Sequence, residues 1–453
     1  MRYLFNILLK LFLFIFVLSV KAVPKNICDS VLISNVNIVD VANNSIRPNQ
    51  HLLIVGDEIK LISASKPKFT AGTKLINATG KYLMPGLIDM HVHVFQPADA
   101  HQLLRYGITT ARVMYGWPQT LEYRDQIKKG DLLGPDLVVA SPIINQKSEY
   151  ANSFIHKFID SPNQAQELVT EYAERGYDLI KTYDGLQPGI FSEISKTAKQ
   201  FNLPIAGHPS FFLSLDEYIA EKPQTIEHIE MLFQASLNYS KDKTELKKLA
   251  NKLALHQIPV TTTLVVYDNL ARMALEKQAF IDNLPVEYIH PFMKKHEQDS
   301  VEFITNLKNP QEWRDKANYL GYMAKTFEEN SVPLVIGSDG GVGYTINGIS
   351  TIEEMELLAG YGVPINSILQ AATITPAKTL NREKEIGRVK AGYKANLILL
   401  NSDPRQNLSV LRQPIAVIKL GNVLNDKDLN QLDVKAKQHM GWLKTWWNLF
   451  WAT

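Results

Sequence analysis

Eight short apolar, β-branched segments recur between about residues 85 and 380. They are LIDMHV (87–92), TTARVM (109–114), LVVASPII (137–144), DLIKTY (178–183), PIAGH (204–208), TIEHI (225–229), VTTTLVV (260–266) and PLVIGSD (333–339). Most are followed by a helix-like stretch, such as GIFSEISKTAKQFN after the fourth. This α/β alternation predicts a (β/α)8 TIM barrel over 85–380 rather than an open doubly wound sheet. The long interval between the seventh and eighth segments, about 268–332, holds several helical patterns and reads as a lid over the barrel mouth.

The flanks have a different texture. VLISNVNIVD, HLLIVGDEIKLI and TKLINATGKYLM alternate apolar and polar residues, as do ANLILLNSD and PIAVIKLGNVL late in the chain. They predict a small β-sandwich domain assembled from 23–84 and 381–425.

The ends of the eight segments carry the chemistry. In a barrel of this kind, functional residues sit at the C-terminal ends of the strands. The first segment runs into His91-Val92-His93, and period-two alternation turns both imidazoles to one face, where they can chelate an ion. Lys181, His208, His228 and Asp339 lie in or at the ends of the fourth, fifth, sixth and eighth segments. Each alone could be structural: a satisfied histidine, a rim lysine, a turn aspartate. Together, at matching depth, they point to a metal site, because burying such groups without partners is costly.

The chain resembles the amidohydrolase superfamily of metal-dependent hydrolases. The resemblance rests on GKYLMPGLIDMHVHV (80–94), YGITTARVMYG (106–116), YDLIKTYDG (177–185), IAGHPS (205–210), TIEHIE (225–230), VIGSDGG (335–341), ATITPAKTLN (372–381) and IGRVKAGYKANLILLNSDP (386–404). It covers about residues 30–425 and is closest in texture to imidazolonepropionase-like enzymes and secreted prolidase-type dipeptidases. It implies two divalent ions, zinc above all. His91, His93 and Asp339 would hold one, His208 and His228 the other, with Lys181 between them. An ammonium has no lone pair, so the bridge requires Lys181 to be N-carboxylated to a carbamate. A plain lysine beside a single ion remains the alternative. Members often carry Arg-Asp on the second strand, where this chain reads Arg112-Val113.

The implied reaction is hydrolysis of an amide or peptide bond in a small substrate, such as a dipeptide or N-acyl amino acid. Water activated by the metals attacks the carbonyl, and Asp339 shuttles the proton to the leaving nitrogen. Tyr183 is a candidate donor to the carbonyl oxygen. Tyr267 is a candidate for a substrate carboxylate, and His156 for reaching the pocket. His51 and His439 read as surface residues. Two rivals stand beside this: a mononuclear deaminase or cyclic-amide hydrolase of the same fold, with His228 on substrate and no need of Lys181, and an inactive binding relative.

Charge and termini bound the partners. Of 453 residues, 48 are Lys or Arg and 46 Asp or Glu, a net charge of +2. Arg2, Lys10 and Lys21 fall in residues 1–22, which read as a signal peptide: a basic start, an apolar run from Leu11 to Val20, then Val20-Lys21-Ala22. An uncleaved anchor competes, and either places the body outside the cytoplasm. Without those three charges +2 becomes −1, which offers no footprint for nucleic acid. Cys28 is the single cysteine, so no intramolecular disulfide can form. Residues 426–453 read as a tail. Its end holds Trp442, Trp446, Trp447 and Trp451, a broad apolar face suited to packing, a homo-oligomer contact or a membrane surface.

Overall fold

The computed structural model describes residues 30–147 and 155–441. The expected signal peptide, Cys28 and the tryptophan-rich stretch 442–453 lie outside them. No helix among the described residues is long and apolar enough to cross a membrane.

The N-terminal flank supplies β1 (Ser30–Asp40), β2 (Ser45–Val55), β3 (Glu58–Ser63), β4 (Lys74–Asn77) and β5 (Tyr82–Pro85). The chain then enters the barrel with β6 (Leu87–Val92), β7 (Ile108–Val113) and β8 (Asp136–Val139). β9 (Ile143–Asn145) and β10 (His156–Phe158) follow as an appended parallel pair. The barrel resumes with β11 (Ile180–Thr182), β12 (Ile205–Gly207), β13 (Thr225–Ile226), β14 (Val260–Thr261) and β15 (Leu334–Val335).

Two single bridges close the ring. Ala140 pairs parallel with Leu179, joining β8 to β11, and Val92 pairs parallel with Gly340, joining β6 to the end of β15. Backbone bonds from Met90 N to Ile336 O (2.8 Å) and from Asp339 N to His91 O (2.8 Å) tighten that second seam. The result is a closed parallel barrel of eight strands. Its helices bury Leu103, Val169, Ile194, Leu253, Leu320 and Phe327 against the strands.

Two strand expectations change. LVVASPII divides into β8 and β9 at Ser141-Pro142, where proline has no N–H to continue a ladder. In VTTTLVV only Val260–Thr261 pair. Thr263 turns into the left-handed region at φ 49°, and Leu264 opens the helix Leu264–Glu276.

The C-terminal flank adds β16 (Leu397–Leu400), β17 (Ala416–Lys419) and β18 (Asn422–Asn425). All eight flanking strands form one mixed sheet, in the order β18-β17-β16-β5-β1-β2-β3 with β4 also on β1. The expected sandwich of two sheets is thus a single hydrogen-bonded sheet. Its cause is the length of β1: Val31–Ser34 pair with β4, Asn37–Ile38 with β5, and β2 runs along the other edge. Val31, Ile33, Ile38, Leu52, Leu397 and Ile418 form its own core.

Between β14 and β15 the chain is helical. Leu264–Glu276 and Gln311–Glu329 belong to the barrel layer, burying Leu264, Leu320, Met323 and Phe327 in the main core. Gln278–Asp282, Pro291–His296 and Gln298–Thr305 stand beside the mouth, on a separate core containing Phe280, Ile289 and Ile304. The supposed tail begins with the helix Asp426–Ala436, whose Leu429 and Leu432 pack on Leu104 and Val417. Neither His51 nor His439 is a free surface residue. His51 is buried in β2, and His439 bonds Gln96 (2.9 Å) and the Glu287 carbonyl (2.8 Å), two positions distant in sequence.

Candidate metal centre and its cavity

A cavity of about 260 Å3 opens at the C-terminal ends of the barrel strands. Its lining includes His91, His93, Lys181, Tyr183, His208, His228 and Asp339. Strand alternation brings His91 and His93 to one side, as β6 continues one residue past its last ladder pair. The chain leaves the last three strands abruptly. His228, Thr263 and Asp339 all lie in the left-handed region, at φ 63°, 49° and 53°. A non-glycine residue is uncommon there, and such strain clusters where side chains must be aimed.

Asp339 Oδ1 is 2.8 Å from His93 Nε2 and 3.3 Å from His91 Nε2. The ring centroids of His91 and His228 are 4.5 Å apart, and those of His208 and His228 are 4.8 Å apart. Donor atoms of His91, His228 and Asp339 lie within 4.8 Å of one another. Outer contacts orient two of the rings. His91 Nδ1 sits 2.7 Å from Glu227 Oε2, and His228 Nδ1 sits 2.8 Å from Thr263 Oγ1. A proton on Nδ1 in each case leaves the Nε2 lone pair facing the cavity.

Burial sets the protonation states. It lowers His91 to about 4 and holds His208 and His228 well below the ordinary imidazole value, so all three are neutral near pH 7. Neutral imidazole is the ligating form. Asp339 stays ionised despite burial, because His91, His93 and His228 hold its carboxyl well down. Lys181 is 2% exposed, and burial lowers its ammonium to about 8. Roughly a tenth of it is then free amine near neutrality.

The residue set fits a metal. His208 Nδ1 is buried with no hydrogen-bond partner, its nearest acid being Asp184 at 3.9 Å. An orphaned acceptor nitrogen beside neutral histidines and a carboxylate suits an ion.

The three substrate-contact candidates separate. Tyr183 lines the cavity and stacks on His208 at 3.9 Å, with an interplanar angle of 28°. His156 lies one ring further out, 4.6 Å from Tyr183. Tyr267 falls inside the helix Leu264–Glu276, with Lys316 Nζ 5.1 Å from its ring centroid. Neither His156 nor Tyr267 is among the described residues that line the cavity.

Sequence reasoning passed over the groups behind the ligands. Glu227 takes Arg112 Nη2 on Oε1 (2.6 Å) while its Oε2 meets His91. Asp89 accepts the His91 N–H (3.0 Å), the Ser338 N–H (3.2 Å) and the Thr351 hydroxyl (2.6 Å), which pins β6 to the end of β15. Both acids sat in view, one beside His228 and one two residues before His91. Also unread were Phe95, Tyr115 and Trp117 on the wall, and Phe292, Met293 and Glu297 from the helices at the mouth.

With this geometry in hand, likeness to known proteins is informative. The Amidohydrolase family profile matches residues 322–424. That stretch spans Asp339 and the return to the flanking sheet. A solved bottromycin amidohydrolase superposes with TM-score 0.75 at 20% identity, covering 90% of this chain and 90% of that one. Over 322–424 the chain thus matches the amidohydrolase family, and its barrel shares the fold of a solved amidohydrolase. A solved Xaa-Pro dipeptidase with methionine bound in its active site superposes with TM-score 0.69 at 18% identity, over 87% of this chain and 100% of that one. Among curated relatives, a 5-methylthioadenosine/S-adenosylhomocysteine deaminase of Acetivibrio thermocellus is 22% identical over 440 residues, 89% of this chain and 93% of its own length.

Proposed function

We propose that this chain cleaves the amide bond of a small substrate at a centre of two divalent ions, most suitably zinc. His91, His93 and Asp339 would hold one ion, and His208 and His228 the other. Lys181, as its carbamate, would stand between them. Bound there, the ions would acidify water and polarise a carbonyl. The observation that carries this reading is the convergence of His91 Nε2 and His93 Nε2 on Asp339 Oδ1, at 3.3 and 2.8 Å.

The chain's own residues then divide the work. Asp339 accepts the proton of the attacking water and returns it to the leaving nitrogen. The Tyr183 hydroxyl, which burial keeps protonated, donates to the carbonyl oxygen. Glu227 and Thr263 keep His91 and His228 in the tautomer that faces the substrate. The free-amine fraction of Lys181 is the form that adds carbon dioxide.

The test combines metal analysis of the full chain with an amide library before and after chelation. Activity should vanish with a chelator and return with zinc. Hydrolysis that survives complete metal removal would sink the reading.

A second reading is a single-ion deaminase. It is favoured by the deaminase relative. It expects one ion per chain, an unmodified Lys181 and ammonia release from an aminopurine.

Residues 1–22 and the tryptophans after 441 support two further proposals of the sequence, export and an apolar contact. N-terminal sequencing of the protein from its host and flotation with liposomes test them.

A further inference from the structure

The wall and roof of the cavity differ chemically from its floor. The floor holds the histidines, Lys181 and Asp339. The wall comes from the loops after β6 and β7, where Phe95, Tyr115 and Trp117 form one aromatic cluster. Centroid distances are 5.2 Å for Phe95–Trp117, 5.5 Å for Tyr115–Trp117 and 6.5 Å for Phe95–Tyr115. The cluster is continuous with the floor, because Phe95 stacks on His93 at 5.9 Å with an interplanar angle of 10°. Phe292 and Met293 face it from the helix Pro291–His296.

Charge is distributed just as unevenly. No arginine is among the described lining residues, and the one lysine is Lys181, on the floor. The acid at the mouth is Glu297, anchored by the Gly343 N–H at 2.7 Å, its carboxyl raised by burial to about 7. A substrate carboxylate against this wall would lose its water and meet aromatic faces and an acid instead of a cation. Such desolvation is strongly unfavourable. A ring or branched apolar group there would bury its surface and pack edge-on against the cluster. The volume, about 260 Å3, lies at the small end of ligand sites and leaves no room for a long peptide.

We infer that the substrate is a compact neutral amide, with a bulky apolar or aromatic group on one side of the scissile bond and no free carboxylate, and that Trp117 is a specificity-determining residue. This rests on the amide-hydrolase reading above and narrows its substrate class. It runs against the dipeptides and N-acyl amino acids that the sequence suggested.

The experiment compares phenylpropionyl methylamide with phenylpropionyl glycine on the zinc-loaded full chain. The two share the same acyl group and scissile bond and differ in the carboxylate. The neutral amide should show a kcat/KM about tenfold higher or more, on the scale that one misfitting group commands. Trp117→Ala should raise KM for the phenylpropionyl methylamide about tenfold more than it raises KM for the acetyl methylamide.

Binding is scored separately by calorimetry with ketone isosteres of both amides, in which a methylene replaces the scissile N–H. The neutral ketone should bind more tightly, and Trp117→Ala should erase most of its affinity. Equal or reversed preference, or no binding of the neutral ketone, overturns the inference. Ketone binding as expected without any amide turnover would overturn the amide-hydrolase reading instead.

Discussion

Arg112 and Glu227 form a fully buried ion pair, with Nη2 2.6 Å from Oε1 and both side chains at 0% exposure. Arg112 spends its other donors on the Met90 carbonyl (2.8 Å), Gln224 (2.9 Å) and Thr225 (2.9 Å). Glu227 is left with one oxygen, which meets His91. The pair therefore fixes the rotation of a candidate ligand from outside the cavity.

Removing half of such a pair strands the other charge. Glu227→Gln should cost about 3–5 kcal/mol of stability, since Arg112 stays cationic and uncompensated. It should also weaken metal binding by about 10–100-fold, because the His91 ring loses its anionic partner. Arg112→Met with Glu227→Gln should recover part of the stability but none of the metal affinity. Denaturant melts and metal titrations of the single and double variants check this. A double variant no more stable than the single one would show that the charge is not the cause.

Asp339→Asn keeps an oxygen near the His93 and His91 nitrogens but gives up the carboxylate. Turnover should fall by about 10²–10⁴, the usual range for a lost general acid/base, while the metal content changes much less. Near-normal turnover would remove Asp339 from proton transfer.

Lys181→Ala should reduce the metal content from two ions to one. Millimolar short carboxylates should restore part of the activity, by supplying the oxygens the carbamate would have given. If metal content is the same with and without Lys181, the single-ion reading takes its place.

Much of this site was legible, and the illegible parts share a cause. His91, His93, His208, His228, Lys181 and Asp339 could be read because each lies in or at the end of an apolar segment, and position along a strand dictates depth in a barrel. Thr263 could not. In VTTTLVV the β-branched residues favour a strand locally, and the second half is a helix whose Leu264 packs in the barrel core and whose Val265 N–H is taken by the distant Glu354. The Phe95–Tyr115–Trp117 wall was equally hidden, since its members come from two loops that only ring closure brings together. The Arg112–Glu227 pair spans 115 positions for the same reason.

Glu354 makes stability depend on pH. It is fully buried, accepts the Val265 N–H at 2.7 Å, and burial raises its carboxyl to about 7. A raised acid binds its proton more tightly folded than unfolded. Its contribution is therefore present at low pH and is lost as pH rises from about 4.5 through about 7. Glu354→Gln keeps the acceptor for Val265 and cannot ionise. Its stability relative to the unsubstituted chain should grow across that window, by at most about 3 kcal/mol above pH 8. Melts at a series of pH values test the slope, and parallel curves would show that Glu354 does not titrate there.

The helix Asp426–Ala436 belongs to the body, and its removal should show it. Leu429 and Leu432 are each 1% exposed against Leu104 and Val417. Tyr288, beside the mouth helices, donates to Asp433 at 2.6 Å, and Met440 N donates to Gln96 at 3.0 Å just ahead of the helix Pro97–Arg105. A chain ending at Asn425 loses two buried leucines, each contributing about 1.5–3 kcal/mol, and uncovers the apolar patch they filled. Compared with a chain ending at Gly441, it should be less stable by roughly 3–6 kcal/mol and prone to aggregate. It should also hold the mouth helices less firmly, seen as faster amide exchange over 286–297, because the Tyr288 and His439 contacts go with it. Equal stability and equal exchange in the two chains would mean that the helix only lies on the surface, and that the body ends at β18.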